Sequence, residues 1–244
     1  MKASLFIGCL VDQFYPEVGE SAVKVLRRLG VEVDFPQGQT CCGQPAFNSG
    51  FFKEALPLAR RLLDLFADSE YIVTLSGSCG AMLKVFIPEL FHNDPSLAER
   101  ANALAERTYE FSQFLVNILG VTEVGARYEG KITYHASCHL LRELKASTES
   151  QSLIRAVRGV HFIDMENATD CCGFGGTFSV KFPQISGAIL EDKLRSIEAT
   201  GADVLVACDS GCLMHIAGAM SRRGMKVRPI HLAQLLAREE SHAG

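Results

Sequence analysis

The stretch Asp170-Cys171-Cys172-Gly173-Phe174-Gly175-Gly176 decides how this chain is read. Two adjacent thiols are followed by three glycines in four positions, and a shorter copy, Thr40-Cys41-Cys42-Gly43, lies 130 residues earlier. Other cysteines repeat around each pair. Cys9 and Cys138 precede their pairs by 32 and 33 positions, and Cys79 and Cys212 follow by 37 and 40. The landmarks recur at offsets of 129, 130 and 133 residues, so the chain reads as two copies of one unit, Cys…Cys-Cys-Gly…Cys.

Working outward, each cysteine position follows a β-prone run. Lys2–Ile7 leads to Cys9, Val31–Phe35 to Cys41-Cys42, and Tyr71–Leu75 to Cys79. In the second copy, Lys131–His135, His161–Met165 and Asp203–Ala207 lead to Cys138, Cys171-Cys172 and Cys212. Helical periods fill the intervals: Pro16–Leu29 closed by Gly30, Phe51–Phe66 with Pro57 inside it, Ala81–Leu90, Ser147–Val157, and Pro183–Glu198. Gln113-Phe114-Leu115 and Gln234-Leu235-Leu236 mark a short helix late in each copy, and His92–Arg107 reads as a polar helical insertion in the first. Alternating strands and helices predict an α/β fold. The expectation is two pseudo-symmetric Rossmann-like halves, each a short parallel sheet flanked by helices. The first cysteine-rich domain spans 1–124 and the second 130–244, with Glu123–Gly130 as linker.

Composition bounds what the thiols do. The 244 residues are 48% hydrophobic and 21% charged, as in ordinary globular domains, and the formal charge of −4 offers no footprint for nucleic acid. No apolar run approaches the roughly 20 residues of a transmembrane helix. The segment before Asp12 and Glu17 is too short for a secretion signal, so a cytoplasmic location is expected. In that compartment nine cysteines, an odd number, point to metal or redox chemistry rather than to structural disulfides.

Parallel sheets place ligands beyond the carboxyl ends of their strands. Three loops of each half therefore converge with four thiols: Cys9, Cys41, Cys42 and Cys79, then Cys138, Cys171, Cys172 and Cys212. Zinc is the commonest tenant of clustered cysteines, but it favours spaced pairs such as C-x₂-C. A multi-iron cluster can share a vicinal pair among several irons. Gly43, Gly173, Gly175 and Gly176 would let backbone N–H groups approach cluster sulfides. A vicinal dithiol without metal leaves the matched lone cysteines unexplained. His135, His139 and His215 crowd Cys138 and Cys212 and read as hydrogen-bond donors or packed residues. Gly173-Phe174-Gly175-Gly176 lacks the G-x-G-x-x-G spacing, so nicotinamide binding is not expected. No catalytic residue emerges.

The Cys-Cys-Gly halves resemble the cysteine-rich "CCG" domains of iron–sulfur oxidoreductase subunits. Those include the CCG-containing subunits of heterodisulfide reductase, of glycolate oxidase and of anaerobic glycerol-3-phosphate dehydrogenase. The wording is closer to the lactate utilization protein A family, through Ser137-Cys138-His139-Leu140-Leu141-Arg142-Glu143-Leu144, Cys171-Cys172-Gly173-Phe174-Gly175-Gly176-Thr177-Phe178-Ser179 and Gly211-Cys212-Leu213-Met214. The resemblance implies a cytoplasmic protein that acts with two sister proteins, lactate utilization proteins B and C, to oxidise L-lactate to pyruvate. The chain departs from the heterodisulfide reductase pattern, which closes each domain with C-x₂-C. Leu75 stands where the second half has Cys208, and three residues separate Cys208 from Cys212. Two ordinary [4Fe–4S] clusters, one on each set of four thiols, are therefore expected, with Cys208 an extra thiol. The rivals are a zinc-stabilised assembly module and a subunit of a glycolate or glycerol-3-phosphate system. The loops around Gly173–Phe178 and Gly77–Met82 are the expected docking face.

Overall fold

The structure, a computed structural model, describes residues 1–146 and 148–239. Strands β1 (Lys2–Phe6), β2 (Glu32–Asp34), β3 (Tyr71–Thr74) and β4 (Thr108–Glu110) form one sheet in the order β2-β1-β3-β4. Strands β5 (Arg127–His135), β6 (Arg158–Phe162), β7 (Val204–Ala207) and β8 (Arg228–His231) form the second in the order β6-β5-β7-β8. All pairings are parallel.

The repeat extends to the register. Ala3 pairs with Tyr71 and Phe6 with Thr74; Ile132 pairs with Val204 and His135 with Ala207. These partners are displaced by the same 129 and 133 residues that separate Cys9 from Cys138 and Cys79 from Cys212. The α/β halves foreseen from the cysteine spacing are thus present, with every paired thiol beyond a strand's carboxyl end.

Side chains alternate across each strand, and helices cover both faces. Ala3, Leu5, Val73 and Leu75 from the first sheet and Ile132, Tyr134, Val204 and Val206 from the second belong to one shared core. The opposite faces have their own cores, Phe6 with Leu62, Phe66 and Ile72 on one side and Leu205 with Leu194, Ile197 and Ile216 on the other. Each such fully buried side chain contributes roughly 1.5–3 kcal/mol. The halves are tied across the shared core: the helix Leu232–Leu236 packs on Pro16–Arg28, and Arg28 Nη1 donates to the carbonyls of Val124 and Leu236, both at 3.0 Å.

Several elements differ from expectation. The fourth strands, β4 and β8, are too short for an alternation signal, and β8 contains Pro229. Each leads into a short helix through a capping box, Glu110 with Gln113 and His231 with Gln234. Those glutamines were the visible part of the pattern. Arg127–Gly130, expected as linker, is the beginning of β5, and Val124 and Ala126 are buried in the shared core. The strand expected over His161–Met165 is β6, Arg158–Phe162, which starts earlier, at the Arg127–Arg158 pair, and ends at Phe162. The helix expected from Ser147 runs over Glu149–Arg155; Ser147 itself lies outside the described residues. The first-half insertion is the helix Pro95–Glu106, polar on one side only, since Leu97, Ala101 and Leu104 pack into the outer core.

Candidate metal centre

Cys9 opens the helix Cys9–Phe14 directly after β1. Its neighbour must be glycine, because a Cβ on Gly8 would stand 2.9 Å from Cys79 Sγ. Cys41 and Cys42 lie in the loop after β2, and Gly43, with φ of 89°, turns the chain into the helix Gln44–Asn48. Cys79 lies in the helix Gly77–Ala81 after β3, whose first turn is capped by Ser76 Oγ accepting from the Cys79 N–H at 3.4 Å. The second half repeats this. Cys138 opens the helix Cys138–Arg142, and Cys212 lies in the first turn of Ser210–Arg222. There Asp209 Oδ1 accepts from the N–H groups of Gly211 and Cys212 at 3.0 and 3.3 Å. The Gly173 N–H donates to Cys171 Sγ at 3.3 Å. With φ of 87° and a virtual Cβ 2.5 Å from the Ser186 carbonyl oxygen, position 173 admits only glycine.

The thiols of each half touch one another. Cys9 and Cys41 Sγ are 3.8 Å apart, and Cys172 and Cys212 Sγ are 3.2 Å apart. All nine cysteines are free. Hydrogen bonds from Cys42 and then Cys9 hold Cys41 far below the usual thiol range, while the donors Cys9 and Cys42 are pushed up. Cys171 is likewise held low by Cys138 and Cys172, which are both raised. In each half the first thiol of the pair is therefore the readiest to lose its proton, and a bound metal would displace the protons of its neighbours.

Both sets open on one cleft of about 400 Å³, lined by all eight matched cysteines together with Gly175 and Gly176. The sequence suggested one crevice per half; the structure brings the two sets of four thiols to a shared space. The halves meet there through polar contacts. Asp209 Oδ2 accepts from Ser76 Oγ at 2.8 Å and from the Ser78 N–H at 3.0 Å, and the His231 Nε2–H donates to the Leu75 carbonyl at 2.9 Å. In the expected docking segment Gly77–Met82, Gly77, Gly80, Ala81 and Met82 are buried, while Ser78 and Cys79 between them are half-buried and line the cleft. The other expected face does border the opening: Val180, Phe182 and Ile185 are exposed just beyond Phe178, with Phe51 near Lys181 from the other half.

Cys208 points elsewhere. It is fully buried in the shared core, 3.2 Å from Ser150 Oγ and 3.8 Å from Tyr134 Oη, and burial raises its thiol. Among the histidines, His139 Nδ1 pairs with Glu143 Oε2 at 3.1 Å and His215 Nε2 meets Ser186 Oγ at 3.2 Å. His135 is different. It is 1% exposed, neither ring nitrogen has a hydrogen-bond partner, and a ring nitrogen lies within 4.8 Å of Cys172 and Cys212 Sγ. Sequence reasoning also passed over Lys193. It is 2% exposed behind the second-half thiols, and its ammonium donates to the Asn167 and Ala168 carbonyls at 2.6 and 3.3 Å. A lysine within an amphipathic helix carries no signal of burial.

Fold and thiols together define a protein built from two cysteine-rich units. The family model for the CCG cysteine-rich domain matches residues 3–84 and 132–217, which encompass both sets of four cysteines. The chain belongs to the lactate utilization protein A family. It is 48% identical over 236 residues to lactate utilization protein A of Bacillus subtilis (strain 168), covering 97% of this chain and 99% of that protein. It is 49% identical over 236 residues to the protein of that name from Geobacillus kaustophilus, covering 97% and 98%. Among solved structures, a hypothetical protein from Helicobacter pylori shares the fold with a TM-score of 0.62 at 11% identity; the match covers 100% of this chain and 49% of that one. No helix among the described residues is long and apolar enough to cross a membrane.

Proposed function

We propose that this chain is the iron–sulfur electron-transfer subunit of a cytoplasmic system that oxidises L-lactate to pyruvate. It is read as two cysteine-rich domains, 1–124 and 130–244, each holding one [4Fe–4S] cluster. Cys9, Cys41, Cys42 and Cys79 hold the first, and Cys138, Cys171, Cys172 and Cys212 the second. The observation that carries this reading is the pair of four-thiol sets opening on one cleft. The donor set fits such clusters: thiols held low by their neighbours at Cys41 and Cys171, a vicinal pair able to serve different irons, and a glycine N–H directed at sulfur. When bound, the clusters supply one-electron transfer. The residues around them hold the thiols in place: Asp209 and Ser76 cap the helices that carry Cys212 and Cys79 and lock the halves together.

The substrate comes from the relatives' name, and Gly173-Phe174-Gly175-Gly176 lacks the G-x-G-x-x-G spacing of a nicotinamide site. Removal of a hydride equivalent from lactate falls to a partner with a flavin or nicotinamide cofactor, and the sister proteins B and C fill that role in this proposal. The protein alone should then show no lactate-dependent dye reduction, with activity restored on adding B and C. A comparable rate from the purified chain alone would overturn the assignment. A second reading, structural zinc, is favoured by one distance. Thiolates bound at about 2.3 Å to one tetrahedral ion stand roughly 3.8 Å apart, which is the separation of Cys9 and Cys41 Sγ, 3.8 Å. A brown, zinc-free protein from anaerobic purification excludes it.

A further inference from the structure

The two ligand sets match, but the strands beneath them do not end alike. β1 ends at Phe6, paired with Thr74, and β5 ends at His135, paired with Ala207, in the same register. Phe6 packs in the first outer core. His135, in the corresponding place, is 1% exposed and neither ring nitrogen has a protein partner. An unpartnered imidazole in the interior is costly and calls for an explanation.

The neighbours supply one. A ring nitrogen of His135 and the Sγ atoms of Cys172 and Cys212 lie within 4.8 Å of one another, yet no hydrogen bond joins the ring to either sulfur. A buried ring nitrogen this close to two thiols and bonded to neither is placed to ligate the metal that those thiols would hold. Neutral imidazole is the form that ligates metal.

We propose that His135 is a nitrogen ligand of the second-half metal centre, alongside Cys172 and Cys212, so that the two centres differ in kind. The first half, with Phe6, has no equivalent. This rests on the metal-centre reading above, and its test separates the two.

The protein is produced with ¹⁵N-labelled histidine, purified anaerobically with its clusters, reduced to a paramagnetic state and examined by pulsed EPR. Wild type should show the hyperfine coupling of a directly bound histidine nitrogen. His135→Phe, which installs the residue the first half carries at this place, should lose it. His135→Cys should also lose the coupling while keeping the full iron count, and the potential of the second centre should fall, since thiolate donates more charge than imidazole. In metal-free protein His135→Phe should melt no lower than wild type, because a buried orphan is removed; an imidazole with only a packing role would give a lower melting temperature and overturn the proposal. Iron bound at full count with no histidine nitrogen coupling overturns this inference alone. A chain that binds no iron overturns the cluster reading and this inference with it.

Discussion

The first half places its thiols over an apolar floor, and the second sets a buried histidine and a buried lysine into the corresponding apolar floor. Phe6 ends the central strand of one sheet and His135 that of the other. The helix behind the first set offers Leu62 and Leu63, whereas the matching helix behind the second carries the buried ammonium of Lys193. Ser76 caps the first cysteine helix and Asp209 the second. The two halves share register and cysteine positions but not the surroundings of those cysteines. Fixed charges in a poorly polarisable interior tune a metal centre without touching it. On the reading proposed above, the second centre holds electrons at the higher potential, and the difference sets a direction of transfer between the halves.

The largest break in this comparison should come from the ligands. Cys172→Ser should remove the second centre and leave the first, halving the iron content, and Cys42→Ser should do the converse, as metal analysis of each variant would record. Loss of both centres from either change would show that the sites are not independent.

Glycine substitutions should separate the halves next. Gly43 and Gly173 have φ of 89° and 87°. A Cβ at Gly43 would meet Leu58 atoms at a harmless 3.6 Å, but at Gly173 it would meet a backbone oxygen at 2.5 Å. Gly43→Ala should cost about 1–2 kcal/mol for the left-handed backbone. Gly173→Ala should cost about 3 kcal/mol or more, because strain and clash add. Equal losses in chemical denaturation would contradict the geometry.

A third difference lies at the ends of the fourth strands, where Glu110 occupies the place of His231. Glu110 is fully buried, with Oε1 unpartnered and Oε2 accepting from the Ser112 N–H at 2.8 Å. Burial lifts its carboxyl from 4.5 to about 7, partly opposed by the Ser112 hydrogen bonds. The folded state then binds the proton more tightly than the unfolded one. Its contribution is intact below pH 4.5 and is lost as pH rises through about 7. Glu110→Gln should therefore match wild type near pH 4 and exceed it at pH 8 by up to about 3 kcal/mol. A variant less stable than wild type at pH 8 would contradict the assignment. The smallest effect is expected at Cys208, which faces the shared core where the first half has Leu75. Cys208→Ser should cost about 1 kcal/mol and leave the metal content unchanged; loss of metal would make it a ligand.

The strands that bear cysteines were legible because each is a short apolar run ending in a recurring landmark. β4 and β8 were not, since three or four residues, one of them Pro229, carry no period of their own and are drawn into the sheets by β3 and β7. The common cleft was also hidden. It depends on Asp209 reaching Ser76 and Ser78, and on Arg28 reaching Val124 and Leu236, contacts between residues about a hundred or more positions apart. His135 was visible as a histidine near Cys138; its importance emerged only when the sheet registers set it against Phe6.

The pairing of two equal ligand sets with two unequal floors is tested most directly by counting metal. Protein purified and reconstituted without oxygen should hold about eight irons with matching sulfide, four for each [4Fe–4S] cluster, and Cys172→Ser should hold about four. One or two zinc ions per chain without iron, or an iron count unmoved by Cys172→Ser, would contradict it.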